Sequence, residues 1–147
     1  MKRTSAKIAI NAAALAVFDQ FVKWLAKSYL SSPYVLTPWF QLRYEQNTGI
    51  AWGLQMPYGL LIAINFVLLL LIPYLAWKNL DLRRHWSQII LALIVGGALG
   101  NIYDRLVSGY VTDFIAVGWW PVFNLADAFL SVGTFLLLLF YAKIKRV

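Results

Sequence analysis

Four long, largely apolar stretches limit what this chain can fold into: Ile8 to Ala26, Tyr58 to Trp77, Trp86 to Ile102 and Leu125 to Tyr141. At about 1.5 Å of rise per residue, each helix would cover most or all of a hydrocarbon core roughly 30 Å thick. The composition points the same way. With 61% hydrophobic and 13% charged residues and a mean hydropathy of +0.67, the 147 residues are wrong for an ordinary soluble core. The sequence predicts an all-α integral membrane protein with four transmembrane helices, forming one membrane-embedded domain over residues 1–147. It shows no internal repeat, low-complexity tract or long linker.

Lysine and arginine placement predicts the orientation, because cytoplasmic loops retain positive charge during insertion. Lys2, Arg3 and Lys7 precede the first span, Lys78, Arg83 and Arg84 lie between the second and third, and Lys143, Lys145 and Arg146 follow the fourth. Both termini are therefore expected in the cytoplasm. The same rule accounts for most of the +7 net charge, and the basic residues form no aromatic-interleaved strip, so no nucleic-acid partner is implied. "MKRTSAK" followed by "IAINAAALAVF" has the layout of a cleavable signal peptide. The apolar face continues through Phe21, Val22, Trp24 and Leu25, however, which favours a retained helix.

In the first outer connection, "FQLRYE" alternates apolar and polar residues as a half-wet strand would, "QNTG" supplies a turn and "IAWG" a second short strand. Residues 39–53 are thus expected to form a small extracytoplasmic β-hairpin, with Trp39 and Trp52 at headgroup level. In the second outer connection, Trp119 and Trp120 belong at the same interface.

The six acids are unevenly placed. Alternating crossings put Asp19, Asp104, Asp113 and Asp127 toward the outer side, with Glu45 on the strand's wet face and Asp81 alone inside. Carboxylates at membrane depth are costly and usually mark function. Cysteine is absent and the single histidine, His85, lies on the opposite side. This removes thiol chemistry, a Ser-His-Asp triad and an HExxH-type zinc site. A serine with a lysine base stays open through Ser28 and Ser31 near Lys23 and Lys27. Lys23, though, stands four residues after Asp19, at the spacing of a helical ion pair. Paired aspartates, one protonated by the proximity of the other, are the best-supplied chemistry. A proton or ion carrier using the same carboxylates, and a structural subunit in which they are merely paired, are the other readings. Arg105 could pair with the adjacent Asp104, and Gly96, Gly97 and Gly100 would admit another helix closely.

Five blocks then carry a resemblance along nearly the whole chain: "DQFVK" at 19–23, "NTGIAWG" at 47–53, "GGALGNIYDR" at 96–105, "VTDFI" at 111–115 and "FNLAD" at 123–127. The sequence resembles the lipoprotein signal peptidase family, also called signal peptidase II or prolipoprotein signal peptidase. The resemblance implies four transmembrane helices with an outer β-cradle, in the bacterial cytoplasmic (inner) membrane. It also implies an aspartic endopeptidase, without metal or other cofactor, that cleaves diacylglyceryl-modified prolipoproteins before the lipidated cysteine. By the same matching, the catalytic aspartates fall on Asp113 and Asp127. Supporting or substrate-contacting positions fall on Asp19, Lys23, Asn47, Gly49, Asn101, Asp104, Arg105 and Asn124. Trp52 and Gly53 stand where the family usually has phenylalanine and serine, and the segment from Asp113 to Asp127 is short for the family. Membrane lipids are the other expected partners, and the chain is expected to act as a monomer.

Overall fold

The computed structural model of the chain describes residues 2–49 and 56–146. Four helices, α1 (Lys2–Tyr29), α2 (Tyr58–Asn79), α3 (His85–Ser108) and α4 (Leu125–Ile144), are joined by three strands, β1 (Tyr34–Thr37), β2 (Phe40–Asn47) and β3 (Val111–Val117). All four helices are long and apolar enough to cross a bilayer. In lipid the backbone must satisfy its own polar groups, which a helix does within one segment. Phe135, Leu138 and Leu139 on α4 and Leu70 on α2 point outward at 60–75% exposure. A soluble protein would not tolerate such a belt, whereas a bilayer matches it.

The helices exceed the spans read from hydropathy. α1 begins at Lys2, so Arg3 and Lys7 lie within its first turns, and α3 continues through Asp104 and Arg105 to Ser108. Polar residues lower the hydropathy at a helix end without interrupting its hydrogen-bond ladder, so apolar runs understate helix length.

α3 is the central helix, packed against α1, α4 and to a lesser degree α2. Small residues permit the close approaches. A Cβ on Gly96 would stand 2.8 Å from the Ala12 carbonyl oxygen of α1, and one on Gly97 would stand 2.5 Å from that of Ala126 on α4. The contacts expected of these glycines are thus present on both sides of α3. At the basic end, Ile8, Leu80, Ile90, Leu91 and Ile144 close the core.

The sheet differs from the predicted hairpin. β2 forms where expected, but it is the middle of three antiparallel strands in the order β1-β2-β3. Its neighbours are residues 34–37 and residues 111–117 of the second outer connection. The proposed return strand at residues 50–53, with Trp52 and Gly53, lies outside the described residues. β2 also lacks the clean wet and dry alternation, because its register slips between Leu42 and Glu45. Long-range strand pairing and an irregularity of this kind leave no period in the local sequence.

The turn from α3 into β3 positions the chemistry. Gly109 caps α3 with φ +80° and donates its N–H to the Arg105 carbonyl at 3.1 Å. A glycine adopts this left-handed conformation without steric cost. The chain thereby folds back, and the Thr112 N–H reaches the Asp104 carboxylate at 3.0 Å.

Gly97→Val should force α3 from α4 and lower stability by about 1 to 3 kcal/mol. The comparison is the thermal midpoint in detergent against Gly59→Ala, where an added Cβ meets nothing within 4 Å. Equal midpoints would contradict the close α3–α4 contact.

Candidate active site

The site starts from a buried cation. Lys23, 3% exposed, sends its ammonium to Asp19 at 2.7 Å, to Asp104 at 3.0 Å and to Asn101 at 3.0 Å. An ammonium has three protons, and each finds an acceptor. Removing an ion from water costs several kcal/mol unless its partners complete the cage, and they do so here. The Ala126 N–H donates to the other Asp19 oxygen at 2.9 Å, while Gln20 donates to Asp104 at 2.9 Å and to the Gly100 carbonyl at 3.0 Å. The cluster ties α1, α3, β3 and the start of α4 together.

Lys23 also decides which way Asn101 faces. A lysine offers only donors, so Asn101 must turn its oxygen toward it, and its amide nitrogen then points to Asp127 Oδ1 at 2.7 Å. Asn124 extends the chain of bonds. Its Nδ2 donates to Asn101 Oδ1 at 3.2 Å and to Asp113 Oδ1 at 2.6 Å, and its Oδ1 accepts the Asp127 N–H at 2.9 Å. This last bond belongs to a capping box that starts α4, with Asn124 as N-cap and Asp127 as its third residue. From the sheet, Asn47 donates to Asp113 Oδ2 at 2.9 Å, and its own oxygen holds the Gly49 N–H at 2.9 Å. Asn47 stands opposite Val111, two residues from Asp113, so this bond is a diagonal cross-strand contact.

The outcome is one network in which Asp113 and Asp127 share Asn124 as a common neighbour. Asp113 is only 2% exposed and bonds no cation. Burial pushes its carboxyl up from 3.8 to about 6, helped by the Asp127 charge and opposed by the donors Asn47 and Asn124. Next to it, Asp127 receives donors from Asn101 and from the helix N-terminus, where a negative charge is favoured. A carboxyl inclined to hold its proton beside a second carboxyl that accepts hydrogen bonds is an arrangement that general acid–base hydrolysis can use.

All ten residues singled out in the sequence lie in this region, with one correction to their roles. Arg105 does not pair with Asp104. Successive helical residues point in different directions, so Asp104 turns to Lys23 while Arg105 donates to the Gly49 carbonyl at 3.4 Å. Gln20 and the Thr112 backbone also belong to the network, without a local signal in the sequence. Gln20 lay inside the quoted "DQFVK" block, one residue after Asp19, but its partner Gly100 is eighty residues away. Glu45 pairs with Arg43 at the surface and Asp81 with Arg84 at the other end of the bundle, both apart from the network. Among the described residues, no cluster of acids or histidine is arranged to hold a metal ion.

Fold and site together define a multi-pass membrane protein with a buried acidic centre at one end of its bundle. A family model described as "Signal peptidase (SPase) II" matches residues 11–143. Lipoprotein signal peptidases of Chlorobium phaeobacteroides (strain BS1) and Thermodesulfovibrio yellowstonii are 38% and 36% identical to this chain. The first match covers 90% of this chain and 93% of the relative, the second 95% and 96%. A bacterial membrane enzyme solved by the in meso method at 2.3 Å superposes with a TM-score of 0.82 at 27% identity, covering 94% of this chain and 88% of that one. The chain belongs to the signal peptidase II family of peptidases.

Two measurements bear on the site. Asp19→Ala leaves one Lys23 proton and the Ala126 N–H buried without acceptors, and breaking such a buried pair typically costs about 3 to 5 kcal/mol. Asp81→Ala, which removes an exposed pair, should cost at most about 1 kcal/mol. Thermal midpoints in one detergent compare them, and similar losses would refute the central role of Lys23. The second concerns pH. Because folding raises the Asp113 pKa from 3.8 to about 6, the folded state holds this proton more tightly. Its stabilising contribution is complete below about 4 and is lost as pH rises through about 6. The stability of the parent relative to Asp113→Asn should therefore fall across that window, and a flat difference would exclude the raised pKa.

Proposed function

We propose that this chain is an intramembrane aspartic endopeptidase that removes the signal peptide from diacylglyceryl-modified bacterial prolipoproteins, cleaving before the lipidated cysteine. The observation that carries the aspartic assignment is the pair Asp113 and Asp127, brought from a strand and a helix start and linked through Asn124. Membership of the signal peptidase II family and the names of the relatives support the substrate class.

In this reading the 147-residue chain works as one membrane-embedded unit, with both termini cytoplasmic and the aspartates near the outer face. The uneven distribution of basic residues supports that orientation. The substrate's apolar signal helix enters laterally while its acyl chains stay in the bilayer. Water attacks the scissile carbonyl directly. Asp127, in the first turn of α4, takes a proton from the water, and Asp113, held protonated by burial, hydrogen-bonds the carbonyl oxygen and keeps its proton. The proton accepted by the base then passes to the departing amine. Acid–base assistance of this kind contributes about 10² to 10⁴ in rate. Asp19, Lys23, Asp104, Asn101 and Asn124 orient the pair, and Asn47, Gly49 and Arg105 tie the sheet to it.

The carrier reading finds no support. Among the described residues, no acidic side chain lies in the spans between the site and the basic end, and Asn65 spends its amide on the Leu61 carbonyl of its own helix at 2.7 Å.

Asp113→Asn and Asp127→Asn should each abolish cleavage of a lipid-modified prolipoprotein while the protein still unfolds cooperatively. The double variant should be little worse than either, since groups that act as one unit are not additive. Asp81→Asn should cleave like the parent. Turnover by a folded Asp113→Asn or Asp127→Asn protein would remove the aspartic mechanism. A burst of trapped acyl intermediate would remove direct attack by water.

A further inference from the structure

At the end of the bundle remote from the aspartates lies a cavity of about 380 Å³. Arg83 and Arg84 of the α2–α3 connection and Lys145 and Arg146 after α4 line it, with Asp81 as its one acid and Thr4 on its wall. Asp81 is engaged by Arg84 at 3.4 Å, and no acidic side chain among the described residues pairs with Arg83, Lys145 or Arg146. Thr4 falls in the first turn of α1, where backbone N–H groups lack intrahelical acceptors and favour an anion.

These cations are not on a loose tail. The chain after α4 is tied to the end of α2, with the Asp81 N–H on the Ile144 carbonyl at 2.8 Å and the Arg146 N–H on the Asn79 carbonyl at 2.7 Å. Leu80 and Lys145 form an antiparallel bridge, and Ile144 is fully buried beneath it. The backbone thus holds Lys145 and Arg146 against Arg83 and Arg84 despite their mutual repulsion.

A second cavity, of about 200 Å³, adjoins the first. Leu80 lines both, and apart from Asn79 and the Tyr141 hydroxyl the second is apolar, bounded by Ile72 and Leu75 of α2, Ile94 of α3 and Leu137 of α4. A basic pocket beside an apolar groove, at the membrane end of a helix bundle, matches a molecule with an anionic head and a hydrocarbon chain. It does not match the basic n-region of a signal peptide, which these cations would repel.

We propose that this end of the protein binds an anionic phospholipid, with its phosphate among Arg83, Lys145 and Arg146 and an acyl chain in the groove beyond Leu80. The test uses the full chain, delipidated in an uncharged detergent and titrated with dioleoyl phosphatidylglycerol, dioleoyl phosphatidylcholine or sodium phosphate at matched ionic strength. Thermal midpoints and lipid retained in native mass spectrometry are read together. Phosphatidylglycerol should raise the midpoint and remain bound one to one, and phosphatidylcholine should do neither. The triple variant Arg83→Gln, Lys145→Gln, Arg146→Gln should bind phosphatidylglycerol roughly a hundredfold more weakly. Lys145→Gln alone, which keeps the fold should the triple variant lose it, should weaken binding about fivefold. Leu75→Trp, which fills the groove, should also weaken it. Equal effects of the two lipids, or unchanged binding by the charge variants, would overturn the proposal. A midpoint shift from sodium phosphate as large as that from phosphatidylglycerol would overturn it too, leaving an anion site with no role for the chain.

Discussion

The rest of the acidic centre depends on the ammonium of Lys23. It is nearly buried, and its three protons are divided between Asp19, Asp104 and Asn101. Had it only two acceptors, one buried proton would be left unpaired, at a cost of a few kcal/mol. With three, it fixes the spacing of α1 against α3. It also orients Asn101, because a donor-only group compels the amide to present its oxygen. Everything beyond Asn101 inherits that choice. Asn124 can then donate to the same oxygen, and Asp127 receives the Asn101 nitrogen.

This dependence makes geometric sense of how the two central aspartates are supplied. Asp113 comes from a strand and Asp127 from the first turn of a helix, two kinds of element with different directions and tolerances. The Gly109 turn and the bond from Thr112 to Asp104 hold β3 down on α3, while the bond from Ala126 to Asp19 holds the start of α4 down on α1. The carboxylates of the lysine cluster therefore position the backbone of both segments. Asp19 and Asp104 shape the acidic centre through the segments they hold.

Charge is segregated along the bundle. The acidic centre occupies one end, and most of the exposed arginines and lysines gather at the other, Lys27 and Arg43 being the exceptions. Between them α3 is lined with glycine, and helix backbones approach too closely to leave room for polar side chains. Lipid-facing leucines and phenylalanines cover the outside. A membrane supplies the solvent this distribution requires, since neither end could be moved into the hydrocarbon without stranding charge.

By itself, the sequence determined the four spans, the end at which the acids gather and the pairing of Asp19 with Lys23. These follow from hydropathy, alternation of crossings and helical spacing, all of which are local. The five blocks brought the remaining site residues into view through resemblance, and β2 was legible from the alternation of apolar and polar residues in "FQLRYE". Only the tertiary structure decided that β2 pairs with β1 and β3, because strand partners distant in sequence leave no period to read. It also turned Asp104 toward Lys23 in place of Arg105 and brought Gln20 against Gly100. Such choices rest on the direction in which each side chain leaves its helix and on what stands opposite, and packing alone determines both.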